Sequence, residues 1–88
     1  MKIVRKVKVK NPLGLHTRPA AFIVKILQPR KSTVHFTYKT ETINARSIMS
    51  ILMLAAKKNA SIEIMVDGED AEMTMSQLVT AFDQEFGE

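Results

Sequence analysis

From Ile3 to Lys10 the chain alternates, with Val7 and Val9 pointing to one side and Lys6, Lys8 and Lys10 to the other. A period of two is the pattern of a strand with one buried face. From Arg18 to Gln28 the spacing becomes helical, placing Ala20, Ile23, Val24 and Leu27 on one stripe. Pro19 is tolerated in the first turn of that helix and Pro29 stops it. "STVHFTYK" then alternates with Val34, Phe36 and Tyr38 on a common face, and the short "ETIN" is its hairpin partner. The apolar stretch Ile48 to Ala56 predicts a short helix, and "ASIEIMV" alternates again through Ile62, Ile64 and Val66. "DGED" is a turn into a last helix carrying Ala71, Met75, Leu78, Val79, Phe82 and Phe86 at steps of three and four. Asp70 is its expected N-cap, and Glu72 lies in the first turn, where the helix dipole favours an acid.

The order β-α-β-β-α-β-α predicts an α+β domain of two layers, one sheet with helices over a single face. The central hairpin makes the sheet antiparallel. Eighty-eight residues are too few for a second core, so residues 1–88 are expected to form one domain. With 45% apolar and 25% charged residues the composition is that of a globular chain. The absence of cysteine excludes disulfides and thiolate metal sites. The longest apolar runs, "AAFIV" and "ILMLAA", are too short to cross a bilayer. "MKIVRKVKVK" has no apolar signal-peptide core, so a cytoplasmic location without membrane attachment is expected.

Charge divides the chain in two. All 13 Lys and Arg lie within residues 1–58 beside a single acid, Glu41, whereas residues 59–88 hold eight acids and no base. A basic lobe suits an anionic partner: nucleic acid, an acidic protein face or a phosphate. Solvated strand faces would produce the same pattern at any single lysine. A nucleic-acid-binding module is disfavoured by the near absence of stacking aromatics on this lobe and of any groove-reading motif.

The most chemically distinctive stretch is "NPLGLHTRPA" at 11–20. If the first helix begins just after His16, its unpaired N–H groups and the positive end of its dipole face the imidazole and form a place for an anion. Arg18 adds a permanent planar cation able to hold two phosphate oxygens. Gly14 allows a sharp turn in front of the ring. A free imidazole titrates near pH ~6.5, so at neutral pH much of it is uncharged and nucleophilic. Such a ring could accept a phosphoryl group, with no metal cluster, oxyanion hole or carboxylate dyad to carry out a whole reaction. The plainer reading of His16 is a polar helix cap. A lone His with no second ligand at useful spacing is not a metal site, and His35 alternates opposite Val34 and Phe36 as an exposed strand residue.

"GLHTRPAA" resembles the active-site segment of the HPr family, the histidine-containing phosphocarriers of the bacterial phosphoenolpyruvate-dependent phosphotransferase system. The similarity continues through "ARSIMS", "DGED" and the last helix, covering essentially the whole chain. It implies an open-faced sandwich of four antiparallel strands covered on one face by three helices, and a monomeric phosphocarrier, not an enzyme, working without a cofactor. It implies that His16 takes a phosphoryl group on Nδ1 from phosphorylated enzyme I and passes it to IIA-type acceptors. Arg18 and the backbone amides of Thr17 and Arg18 would bind the phosphate. "NARSIMS" is similar to the regulatory-serine region of relatives controlled by HPr kinase/phosphorylase, with Ser47 at the matching position. A serine at a helix start is also a good N-cap, and a phosphate there would add about −1.5 to −2 charges to a docking face.

That face is expected to include Phe22 and Ile26, opposite the core stripe, and Ile48, Met49 and Leu52, which cannot all follow Ile51 and Leu54 inward. Met53 is undecided. Arg46, Lys25, Lys57 and Lys58 are the candidate rim cations. Leu13 departs from the sugar-pathway pattern, which has a small polar residue before the glycine. "NPLGLH" and "SILMLA" are closer to the nitrogen-branch relative, whereas "RSIMS" leans towards the kinase-regulated sugar-type proteins, so a regulatory phosphorelay without sugar transport is equally allowed.

Overall fold

The computed structural model describes Met1–Glu88. Its elements follow the order β1 (Lys2–Lys8), α1 (Thr17–Leu27), β2 (Thr33–Tyr38), β3 (Glu41–Asn44), α2 (Ile48–Met53), β4 (Ser61–Asp67) and α3 (Ala71–Asp83), ending in a 3-10 turn at Glu85–Gly87. The four strands form one antiparallel sheet in the order β1-β4-β2-β3. No helix is long and apolar enough to cross a membrane.

Register explains why the sheet has one covered face. Ile3 lies opposite Val66 and Val7 opposite Ile62, while Val34 and Phe36 lie opposite Val66 and Ile64. These pairs share the face on which the helices pack. α3 lies across β1 and β4, and α1 packs against both α2 and α3. The other face carries Lys6, Glu63 and Thr37 in one cross-strand row and Met65, His35 and Asn44 in the next. His35 is half-buried there rather than exposed, because it stands between side chains of two neighbouring strands.

Two element ends differ from the periodicity. The short helix stops at Met53, since Ala55 adopts a left-handed φ of 52° that cannot continue a right-handed helix. The last helix stops at Asp83, and Phe86 stays buried within the 3-10 turn at φ 55°. Phe86 packs edge-on against Phe82 at 4.9 Å, Phe82 against Phe36 at 5.7 Å, and Phe86 against Phe22 at 5.9 Å. This chain of T-shaped aromatic contacts runs from the sheet to the surface of α1 and fastens the terminal turn to the core.

Polar groups hold the loops. The Arg46 guanidinium donates from Nη1 to the Leu27 carbonyl and from Nη2 to those of Arg30 and Ser32, each at 2.7 Å. These bonds tie the last carbonyl of α1, which also accepts the Arg30 N–H, to two carbonyls of the loop that follows. Asp70 does occupy the position before α3, but its carboxylate makes no capping bond to the helix backbone. It accepts instead from the Lys31 and Ser32 N–H groups at 2.9 and 3.0 Å, from the Ser32 hydroxyl, and from Thr74 Oγ1 at 3.2 Å. The expected cap is thus a clasp between the 28–32 loop and α3. The Ser32 hydroxyl foremost, then the Lys31 N–H, hold the Asp70 carboxyl well below the usual range, against the opposing effect of burial.

Two outcomes follow. Arg46→Ala should cost about 2 kcal/mol of stability in urea titrations, with Arg46→Lys recovering only part, because an ammonium is a poor match for three divergent carbonyls. A depressed folded-state value means that Asp70 stabilises fully above its unfolded value of about 3.9, and progressively less as pH falls below it. The stability gap between the native protein and Asp70→Asn should therefore be full at neutral pH and narrow below about pH 4 in denaturant titrations.

Candidate functional site

The site begins with a loop that has little freedom. The Gly14 backbone lies at φ 69°, and a Cβ there would run into the Ala56 carbonyl oxygen and lie 3.0 Å from the Lys57 Cα. That carbonyl accepts the Leu15 N–H at 3.0 Å, and the Leu15 side chain is buried. Only glycine permits this approach. Leu13, two residues upstream of Leu15, projects into solvent.

His16 takes the N-cap position of α1 with extended backbone (φ −80°, ψ −167°), and its side chain caps nothing. The helix begins at Thr17, and the Ala20 N–H closes the first turn onto the His16 carbonyl at 3.0 Å. Pro19 has no N–H, so the N–H groups of Thr17 and Arg18 are the open donors of this terminus. The ring is accessible, with 29% of its side chain exposed. Arg18 is exposed and forms no ion pair. Two open peptide donors and the positive end of a helix dipole therefore lie at one imidazole, and Arg18, two residues on, carries a charge that acts on the Glu88 carboxyl.

The ring also meets a residue that spacing could not reveal. Glu88 brings Oε2 to 3.0 Å and Oε1 to 3.1 Å from His16 Nε2. Asn11, fully buried, donates from Nδ2 to Glu88 Oε1 at 2.6 Å and to the Glu85 carbonyl at 2.8 Å. Burial pushes the Glu88 carboxyl up, but hydrogen bonds from His16 and Asn11 and the charges of His16 and Arg18 outweigh it and leave the carboxyl below its ordinary value. Neither Asn11 nor Glu88 stands out in the sequence.

The remaining candidates divide between surface and scaffold. Met49 is 67% and Met53 76% exposed, Phe22 and Ile48 are also exposed, and Ile26 and Leu52 are half-buried. They lie on α1 and α2, which pack side by side and carry no acidic residue. Arg46, placed by the sequence among the rim cations, is half-buried with its guanidinium bound to three carbonyls, so its place is in the scaffold. Ser47 caps α2, its Oγ accepting the Ser50 N–H at 3.2 Å. Lys25, Lys57 and Lys58 are exposed.

A family model described as "PTS HPr component phosphorylation site" matches residues 3–84. The phosphocarrier protein HPr of Chlamydia muridarum is 44% identical over 80 residues, 91% of this chain and 77% of the relative. That of Treponema pallidum is 34% identical, covering 98% of both chains. A crystal structure of HPr from Thermoanaerobacter tengcongensis superimposes with a TM-score of 0.93 at 30% identity, covering 98% of this chain and 97% of the other. With this sheet order, these three helices and a histidine poised at the start of α1, the chain belongs to the HPr family of phosphocarrier proteins of the phosphotransferase system.

Proposed function

We propose that His16 accepts a phosphoryl group on Nδ1 from phosphorylated enzyme I and passes it to a IIA-type acceptor. The observation that carries this reading is the accessible ring at the N-terminus of α1, whose nitrogen Nδ1 makes no hydrogen bond while Nε2 is engaged by Glu88. The Nδ1 lone pair attacks phosphorus, and the bond between phosphorus and the donor breaks with its electron pair returning to the donor. The phosphoryl oxygens then lie where the Thr17 and Arg18 amides and the Arg18 guanidinium can bind them. On the onward step the Nδ1–P bond breaks and its pair returns to the ring. The chain itself lends position and charge, and the energy of transfer comes from the donor.

The apolar and basic surface of α1 and α2 supports docking of a partner with an acidic rim and an apolar centre. Phe22, Ile48 and Met49 are its exposed apolar residues, Ile26 and Leu52 are half-buried on the same two helices, and Lys25 is exposed on α1. Ser47 stands at the start of α2, beside Ile48 and Met49. Phosphorylation there by an HPr kinase/phosphorylase would bring negative charge to a surface adapted to meet acids, with little change of fold.

Incubation with phosphoenolpyruvate and enzyme I should yield one acid-labile, base-stable phosphate per chain, absent in His16→Ala. A native protein that takes up no phosphate would refute the proposal. Arg18→Ala should slow uptake by roughly 10- to 100-fold, from the loss of charged hydrogen bonds to the phosphate. Met49→Glu should lower the second-order rate of transfer from enzyme I by about tenfold while leaving the melting temperature unchanged. Ser47→Asp should act in the same direction and keep α2 intact, since aspartate is an equally good cap. Competition between a sugar-permease IIA domain and a regulatory IIA protein for the labelled phosphoryl group ranks the two classes of acceptor.

A further inference from the structure

The His16 ring has two nitrogens, and transfer through Nδ1 requires that this one carry the lone pair. In a neutral imidazole one nitrogen bears the proton and the other accepts, so the partner of either nitrogen decides the chemistry of both. Here Nε2 faces the Glu88 carboxylate at 3.0 Å. An ionised carboxylate can only accept, which makes Nε2 the donor and leaves Nδ1 unprotonated.

The carboxylate is itself held. Asn11 Nδ2 bonds both Glu88 Oε1 and the Glu85 carbonyl, two pure acceptors, so the orientation of its amide is settled chemically. Asn11 is fully buried, and its Oδ1 has no hydrogen-bond partner. The turn bearing Glu88 has left-handed φ values at two successive non-glycine residues, Glu85 and Phe86, both 55°. Strain of this kind persists where surrounding structure over-determines it, here through the burial of Phe86 against Phe82 and the bond from Asn11. A buried amide and a strained, aromatic-anchored turn thus deliver one carboxylate to one ring nitrogen.

We infer that Glu88, oriented by Asn11, is a positioning residue that keeps the His16 proton on Nε2 and thereby makes Nδ1 the nucleophile. Its consequence for transfer rests on the phosphocarrier reading above. When Nδ1 attacks phosphorus, the ring keeps its Nε2 proton and gains a positive charge, which the facing carboxylate stabilises. When the phosphoryl group leaves, the electron pair returns to Nδ1 and the same neutral tautomer reappears. No proton has to enter or leave the site in the cycle. The arrangement places a carboxylate behind the ring and the phosphate-binding donors at the helix start, so one imidazole is served from two sides.

The test is nitrogen-15 NMR of histidine-labelled protein, read at a pH where the His16 ring is neutral, together with the rate of phosphoryl uptake from enzyme I. The native protein should give an almost pure Nε2–H signature. Glu88→Ala should add a clear Nδ1–H population and slow uptake by about tenfold. Glu88→Gln, which retains an accepting oxygen but no charge, should keep the native tautomer and transfer at an intermediate rate. Asn11→Ala should reproduce the Glu88→Ala spectrum, and if it does not fold the Glu88 variants carry the test alone. An unchanged tautomer in Glu88→Ala would overturn the inference, as would uptake that is unchanged or faster. A tautomer shift in a protein that accepts no phosphate would leave the positioning of the ring standing and refute the phosphocarrier reading instead.

Discussion

A sheet with one apolar face is the constraint on which the rest of this molecule depends. β1, β4 and β2 alternate in register, so Ile3, Val7, Ile62, Ile64, Val66, Val34 and Phe36 all face one side. Every helix must lie on that side, because only there can apolar stripes be removed from water. Both long helices therefore share one layer, and α1 packs against α3 and against the terminal turn beyond it. The start of α1 and the last residues of the chain meet at one place as a result of burying Phe82 and Phe86. The chemistry at His16 inherits its geometry from that packing.

The loop before His16 shows how closely scaffold and site are joined. Gly14 approaches the Ala56 carbonyl, Leu15 is buried, and Asn11 is fully buried with its amide turned to the terminal turn. Each of these residues confines the backbone within a few positions of the ring. The ring itself stays partly open to solvent. A confined backbone of this kind holds the ring in one place without an ordering cost at each encounter with another molecule.

Charge is arranged on the same principle. The acids lie almost entirely in the final third of the chain, yet folding brings one of them, Glu88, to the edge of the basic lobe. Arg18 is left without an ion-pair partner, although its charge acts on Glu88. Arg46 belongs elsewhere. Its guanidinium fastens the loop after α1 to the end of that helix, whereas a surface reading of charge along the sequence would assign it to solvent or to a partner.

Alternation, helical spacing, one hairpin pairing and one apolar run were enough to place all four strands and three helices, because each is a local property of neighbouring residues. The same holds for His16, Thr17 and Arg18, three consecutive residues at a helix start whose donors and charge follow from neighbours in the chain, and for Ser47 as the cap of α2. Only the tertiary structure decided that Phe86 turns under the core in a left-handed 3-10 turn, that Asp70 clasps Ser32 instead of capping α3, and that Arg46 serves three backbone carbonyls. It alone joined Asn11 to Glu88, 77 positions apart, and Glu88 to His16, 72 apart. Such contacts have no period and no local signature. They arise when separate elements compete for the same buried space, and the sequence carries that outcome only in the sum of its packing.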